Sequence, residues 1–156
     1  MDLYKWKQEY SVGVATLNQQ HQHLFELVDQ LQEFMTTGQS DAVITTTLRE
    51  LMACTRQHFL AEEALMTECS FPGLDAHRIE HKKINRAVLK FIRDFEAGEK
   101  RFRVQLLDFM IDWLTTHILT TDMLYSQFLL AKAPPDAHSG QLRQSPHSSV
   151  ASSRKG

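Results

Sequence analysis

A helical period of apolar residues runs through residues 41–67, whose sequence is DAVITTTLRELMACTRQHFLAEEALMT. The apolar side chains that define this period recur every three or four residues, at Ile44, Leu48, Leu51, Cys54 and Leu65. Such spacing places them on one face of an α-helix, and that face must be buried against other parts of the chain. Asp41 is a candidate N-cap and the Pro72-Gly73 pair interrupts the pattern, so we predict one long helix between them.

Three further segments show the same period. We predict a first helix over residues 18–37, with Asn18 as its N-cap and Gly38 at its end. The other two helices are predicted over residues 75–96 and 101–131. The side chains predicted to face inward are Leu24, Val28, Leu31 and Met35 in the first helix, Ile84, Val88, Phe91 and Phe95 in the third, and Leu106, Met110, Trp113, Leu124 and Phe128 in the fourth.

Four amphipathic helices of similar length with short connections predict an all-α fold, an antiparallel up-down-up-down four-helix bundle. The first seventeen residues are rich in aromatic side chains, and we expect them to form an N-terminal loop packed along the bundle. We assign residues 1–132 to this bundle. Residues 133–156 are rich in Ser and Pro and poor in large apolar side chains, so we expect a disordered tail.

The composition excludes several classes of protein. The chain has 156 residues, 42% of them hydrophobic, which suits a single globular domain. Its net charge of -2 lacks the basic excess of nucleic-acid-binding proteins, so we expect no nucleic-acid partner. No run approaches the roughly 20 apolar residues of a membrane span, and the charged N-terminal residues do not resemble a signal peptide. We therefore expect no membrane insertion, a cytoplasmic location, and reduced thiols at Cys54 and Cys69.

Polar residues occupy interior positions on all four predicted helices. They are His21, His58, Glu62, His77, His81, His117 and Asp122. Burying so many polar groups without partners costs kilocalories per group. The pairs His58/Glu62 and His77/His81 are each spaced i, i+4, so each pair directs two donor groups to one place. A metal ion resolves the conflict, because it accepts imidazole lone pairs and neutralises carboxylates.

Asp122 does not fit a regular helix. It follows His117 by five residues, which places it about 140° away around an α-helix. A π-type bulge or a reoriented side chain would bring it to the site, and otherwise Asp122 is a solvated residue.

Five imidazoles and two carboxylates are too many donors for one tetrahedral zinc ion, but they suit two octahedral ions. With two bridging carboxylates and a bridging hydroxide or oxide, about one of roughly twelve coordination positions stays open for a small ligand. Carboxylate-rich di-iron bundles use four carboxylates and two histidines. The nitrogen-rich set here stabilises high-valent iron less well, which favours binding dioxygen over activating it.

The sequence resembles the bacteriohemerythrins, single-domain non-heme di-iron proteins that bind oxygen. The resemblance extends from Trp6 to about Leu130 and excludes the tail. The matching residues are Trp6, Tyr10-Ser11-Val12-Gly13-Val14, Gln20-His21, His58-Phe59, Glu62-Glu63, Met66, Phe71-Pro72, His77, His81, Trp113-Leu114, His117-Ile118, Asp122 and Tyr125.

The resemblance implies roles for the seven polar residues. His77, His81 and His117 would bind one iron ion, and His21 and His58 would bind the other, which keeps the open position. Glu62 and Asp122 would bridge the two ions together with an oxide or hydroxide. Dioxygen would bind end-on at the open iron as a hydroperoxide while both ions change from Fe2+ to Fe3+.

Apolar residues flank the predicted ligands and predict a dry dioxygen pocket. They are Leu24, Phe59, Trp113, Leu114 and Ile118, all within a turn of His21, His58 or His117. The alternative is that they are ordinary core residues. Two polar neighbours of the ligands, His23 and Glu63, are expected to be exposed to solvent. At Asn18 the family usually has Asp.

We predict an oxygen-binding protein for storage or delivery, and not an enzyme. The alternatives are a di-iron enzyme that turns over dioxygen, peroxide or nitric oxide, a sensor that signals to a partner, and a metal-free structural bundle. The expected ligand is dioxygen, with nitric oxide and small anions as other candidates. We expect a monomer whose client is an oxygen-consuming enzyme.

Overall fold

The computed structural model describes residues 5–98 and 103–132 of the chain. Its helical elements are a short 3-10 turn at Gln8–Tyr10, α1 at Ala15–Thr36, α2 at Asp41–Glu68, α3 at Leu74–Glu96, α4 at Arg103–Thr116, a π-helix at His117–Asp122 and α5 at Met123–Lys132. The last three elements are consecutive and form the fourth rod of a four-helix bundle. Helix α1 packs along α2 and α4, and α2 packs along α3, which confirms the predicted all-α fold.

The N-terminal loop lies against the bundle as expected. Tyr10 and Val12 are buried, and the Tyr10 ring stacks on Phe25 of α1 with 5.1 Å between ring centroids. Asn18 is not an N-cap, because α1 begins three residues earlier, at Ala15. Its side chain instead joins the loop to the helix: Oδ1 accepts a hydrogen bond from the Val12 backbone N–H at 2.9 Å, and Nδ2 donates to Ser11 Oγ at 2.8 Å. The loop is therefore anchored by both apolar burial and polar contacts.

The other helix ends follow the sequence signals closely. Helix α2 is capped by Ser40, whose Oγ accepts from the Val43 N–H at 3.4 Å, and the predicted cap Asp41 is the first helical residue. Gly38 has a φ of 74°, a left-handed conformation that glycine adopts without steric cost, and it follows the C-terminal end of α1. The start of the fourth predicted helix at residue 101 and the proposed tail at 133–156 lie outside the described residues.

Most residues predicted to face inward are buried, but Leu124 and Phe128, the last two in the chain, are not. Leu124 is 58% exposed and Phe128 is half-buried. The π-helix explains the difference, because it adds one residue to a turn and rotates the following helix relative to a regular α-helix. Tyr125, with no exposed surface, takes the inward position instead. Four other predicted core residues are half-buried at the margin of the core, namely Met35, Cys54, Leu65 and Phe91.

Cys54 and Cys69 have free thiols. Within residues 5–98 and 103–132, no helix is both long enough and apolar enough to cross a membrane.

The register of α5 can be tested by truncating two leucines. We expect Leu124→Ala to change the free energy of unfolding by less than about 0.5 kcal/mol, because its side chain is largely exposed. Leu48→Ala should cost about 2–5 kcal/mol, since Leu48 is fully buried and its loss leaves a cavity. Urea unfolding of the metal-free protein measures both, and similar costs for the two variants would contradict the register.

Candidate metal centre

The π-helix brings the two polar residues of the fourth rod together. His117 and Asp122 stand at its two ends, and His117 Nε2 lies 3.1 Å from Asp122 Oδ1. One turn of π-helix spans one more residue than an α-turn, so a spacing of five residues returns to the same face. Asp122 is accordingly fully buried and not solvated. The spacing allowed either a π-type bulge or a reoriented side chain to bring Asp122 inward, and the structure has the π-type bulge.

Helices α2 and α3 each contribute a pair one turn apart. His58 and Glu62 face the same point, with His58 Nε2 3.3 Å from Glu62 Oε2. The His77 and His81 rings are 4.4 Å apart between centroids, and their Nε2 atoms lie 3.6 Å and 3.2 Å from Glu62 Oε2. Helix α1 supplies His21, whose Nε2 is 2.9 Å from His58 Nε2.

The structure thus brings all seven predicted residues into one buried cluster. They fall into two groups of four whose donor atoms all lie within 4.8 Å of one another: Glu62, His77, His81 and His117 in one, and His21, His58, Glu62 and Asp122 in the other. Glu62 belongs to both groups. Asp122 reaches the first group as well, because its Oδ1 is 3.4 Å from His77 Nε2 while its Oδ2 is 3.4 Å from His21 Nε2.

Many polar atoms of this cluster have no hydrogen-bond partner. The buried, unpartnered atoms of the cluster that face its centre are Glu62 Oε2, both carboxylate oxygens of Asp122, and Nε2 of His77, His81 and His117. Leaving such groups unsatisfied costs about 1–3 kcal/mol each. Imidazole nitrogens and carboxylate oxygens at this separation form a donor set for metal cations such as iron. The residues therefore fit a metal centre.

The electrostatics of the cluster keep both carboxylates ionised. Burial alone would raise the pKa of Glu62, but the neighbouring His58, with His77 and His81, holds it well below the usual value. Burial and Glu62 act to raise the pKa of Asp122, while the neighbouring His117 and His21 imidazoles lower it overall. The centre consequently presents two negative charges to a cation.

A second layer of side chains holds the cluster from outside, in roles that the sequence did not reveal. Gln20 Oε1 accepts from His58 Nδ1 at 3.0 Å, and the Tyr125 hydroxyl donates to Glu62 Oε1 at 2.7 Å. Glu63 was predicted to be solvated, and that prediction is wrong: its Oε1 lies 2.9 Å from His81 Nδ1. The turn of about 100° that separates Glu63 from Glu62 points it toward α3, which sequence spacing alone does not reveal.

The five apolar residues predicted to line a pocket are all buried. They are Leu24, Phe59, Trp113, Leu114 and Ile118. The Phe59 ring stacks on the His81 ring at 3.7 Å between centroids, and Trp113 meets the edge of Phe59 at 6.1 Å. By contrast His23 is exposed, as predicted, and its Nδ1 lies 3.4 Å from Glu26 Oε2.

Comparisons with known proteins point to one family of cation-binding proteins. The sequence model of the hemerythrin HHE cation binding domain matches residues 12–129. Bacteriohemerythrin of Methylococcus capsulatus (strain Bath) is 30% identical over 132 residues, covering 84% of this chain and all of that protein. Bacteriohemerythrin of Stenotrophomonas maltophilia (strain R551-3) is 29% identical, covering 81% of each. The crystal structure of a wild-type hemerythrin matches with a TM-score of 0.74 and 29% identity, covering 80% of this chain and 96% of that one.

Metal binding can be tested with three alanine variants. We expect His81→Ala and Glu62→Ala to bind less iron than the unmodified protein, because each removes donor atoms from the cluster. His23→Ala is the matched control and should retain full iron, since His23 is an exposed histidine of the same chain. Iron per chain, measured by elemental analysis after anaerobic loading with Fe2+, decides the question. Equal losses in all three variants would contradict this ligand set.

Proposed function

This chain belongs to the hemerythrin family, and we propose that it binds dioxygen reversibly at a centre of two iron ions inside the bundle. The observation that carries the proposal is the convergence of five imidazoles and two carboxylates in the buried interior. Both Asp122 oxygens, Glu62 Oε2 and Nε2 of three of the histidines lack a hydrogen-bond partner there. In a metal-free structural bundle, these unsatisfied groups would lower the stability of the fold and nothing would compensate for the loss.

The two groups of donors suggest how the ions are held. In our assignment His77, His81 and His117 bind one iron, His21 and His58 bind the other, and Glu62 and Asp122 bridge both. Glu62 is shared by the two groups, and Asp122 has an oxygen near each of them, which supports the bridging roles. Three histidines against two leave the second ion with one coordination position for an external ligand, if an oxide or hydroxide also bridges.

The side chains around the centre serve reversible binding. When bound, the iron pair supplies the electrons that dioxygen takes up and returns. The buried side chains of Leu24, Phe59 and Leu114 exclude water and anions that would make the oxidation irreversible. Burial and the nearby Glu62 raise the pKa of Tyr125 well above its usual value, so its hydroxyl stays protonated and keeps its hydrogen bond to Glu62.

The donor set favours a carrier over an enzyme. Five neutral imidazoles provide less negative charge than a carboxylate-rich set, and so less stabilisation of high-valent iron.

An absorption experiment tests the function. Protein reconstituted with Fe2+ without air should develop a visible absorption band on aeration and lose it on degassing, through several cycles. The Glu62→Ala variant, treated identically, shows what iron outside the centre contributes. Sustained consumption of dioxygen in the presence of a reductant, measured with an oxygen electrode, would instead indicate an enzyme.

A separate prediction concerns the buried apolar side chains predicted to exclude water from the centre. We expect Leu114→Ala to retain iron but to lose its oxygenated form several-fold faster, because truncating a buried wall residue admits water. Leu124→Ala removes the same atoms from an exposed position and should decay at the unmodified rate. The decay of the visible band in air measures both rates. Unchanged decay in Leu114→Ala would show that Leu114 does not protect the centre.

A further inference from the structure

Two histidines of the centre make hydrogen bonds through Nδ1 to side chains of different charge. On the three-histidine side, His81 Nδ1 is 2.9 Å from a carboxylate oxygen of Glu63. On the two-histidine side, His58 Nδ1 is 3.0 Å from the amide oxygen of Gln20. Both acceptors lack a proton on the contacting oxygen, so each imidazole donates from Nδ1 and keeps its Nε2 lone pair for the centre.

Glu63 is itself fixed in position. Its other carboxylate oxygen, Oε2, accepts from Arg78 Nε at 3.1 Å, so both of its oxygens are engaged. The Glu63 side chain is 22% exposed, less than that of Arg78 at 39%. Arginine stays protonated throughout the physiological range, which keeps the partner charge constant. Glu63 therefore links α2 to two residues of α3, one of which faces the centre.

A carboxylate and an amide affect a ligating imidazole differently. A hydrogen bond to an ionised acceptor is roughly twice as strong as one between neutral groups, and it shifts electron density toward the opposite nitrogen. A more basic Nε2 stabilises Fe3+ more than Fe2+, because the ferric ion has the higher charge. The ion bound by His81 should therefore be easier to oxidise than the ion bound by His58.

We propose that Glu63 is a positioning residue that makes the two iron sites unequal, so that the three-histidine site is oxidised first. This inference rests on the proposed function, because it assumes an iron pair in the centre. In the proposed function each ion gives one electron, so Glu63 would set how easily the centre loses the first of the two. The rival explanation is that Glu63 only ties α2 to α3 through its ion pair with Arg78.

Matched substitutions separate these explanations. Glu63→Gln keeps an acceptor oxygen for His81 but removes the charge, and Gln20→Glu places a charge behind His58. Arg78→Gln breaks the same ion pair while leaving the contact between Glu63 and His81 in place. Each variant is loaded with iron, and its two one-electron midpoint potentials are measured by mediated titration under argon.

The potentials should respond in a defined pattern. Glu63→Gln raises the lower potential and Gln20→Glu lowers the higher one, so the gap between the two potentials narrows in both variants. Arg78→Gln does not narrow the gap. Glu63→Gln should also weaken iron binding by about tenfold, the usual effect of losing an outer partner of a ligand.

The outcomes distinguish this inference from the proposed function. If the unmodified protein binds iron and dioxygen reversibly but Glu63→Gln leaves the gap unchanged, the inference is overturned and the proposed function stands. If Arg78→Gln narrows the gap as much as Glu63→Gln does, the effect is that of a structural tie, and the inference is again overturned. A protein that holds no iron overturns both.

Discussion

The structure depends on one constraint: seven polar side chains occupy the middle of a bundle where apolar residues would pack best. Each of the four rods supplies at least one of them, so no helix can shift or rotate without moving a donor atom. Away from the cluster the interior contains fully buried apolar residues such as Leu48, Val88 and Met110. This apolar packing must hold the bundle together while the cluster stays unsatisfied, and a cation would turn the unfavourable layer into a favourable one.

The outer layer of contacts converts a group of histidines into a set of metal donors. An imidazole can bind a metal through either nitrogen, and the hydrogen bond that one nitrogen makes decides that the other faces the metal. Gln20 and Glu63 accept the Nδ1 protons of His58 and His81, which leaves Nε2 of each imidazole free to bind a metal. Tyr125 does the corresponding work for Glu62, because its hydroxyl occupies one carboxylate oxygen and leaves the other, Oε2, facing the imidazoles.

Periodicity predicted the fold and the cluster well, because buried faces of helices recur in sequence at fixed intervals. The predicted second and third helices agree with α2 and α3 to within a residue or two at either end. The errors have separate physical causes, one of them long-range and two of them local. The position of Glu63 is not evident from the sequence, because its partners on α3 lie 15 and 18 residues away. The cap predicted at Asn18 is wrong, because its residue type suits a cap but α1 begins earlier, at Ala15, and its side chain binds the preceding loop. Leu124 was placed inward because a regular helix was assumed beyond His117.

That last error shows how closely the site and the fold are linked. Counted from His117, a regular α-helix would direct residues at i+4 and i+7, Thr121 and Leu124, toward the centre. The extra residue of the π-helix replaces them with Asp122 and Tyr125, which are three residues apart and both fully buried. A single local irregularity thus supplies the second carboxylate and also the hydroxyl that orients the first. A π-turn has poorer backbone geometry than an α-turn, and such turns occur often at functional sites. Here its cost is offset only if Asp122 and Tyr125 together hold something at the centre, which is what the unpartnered oxygens of Asp122 require.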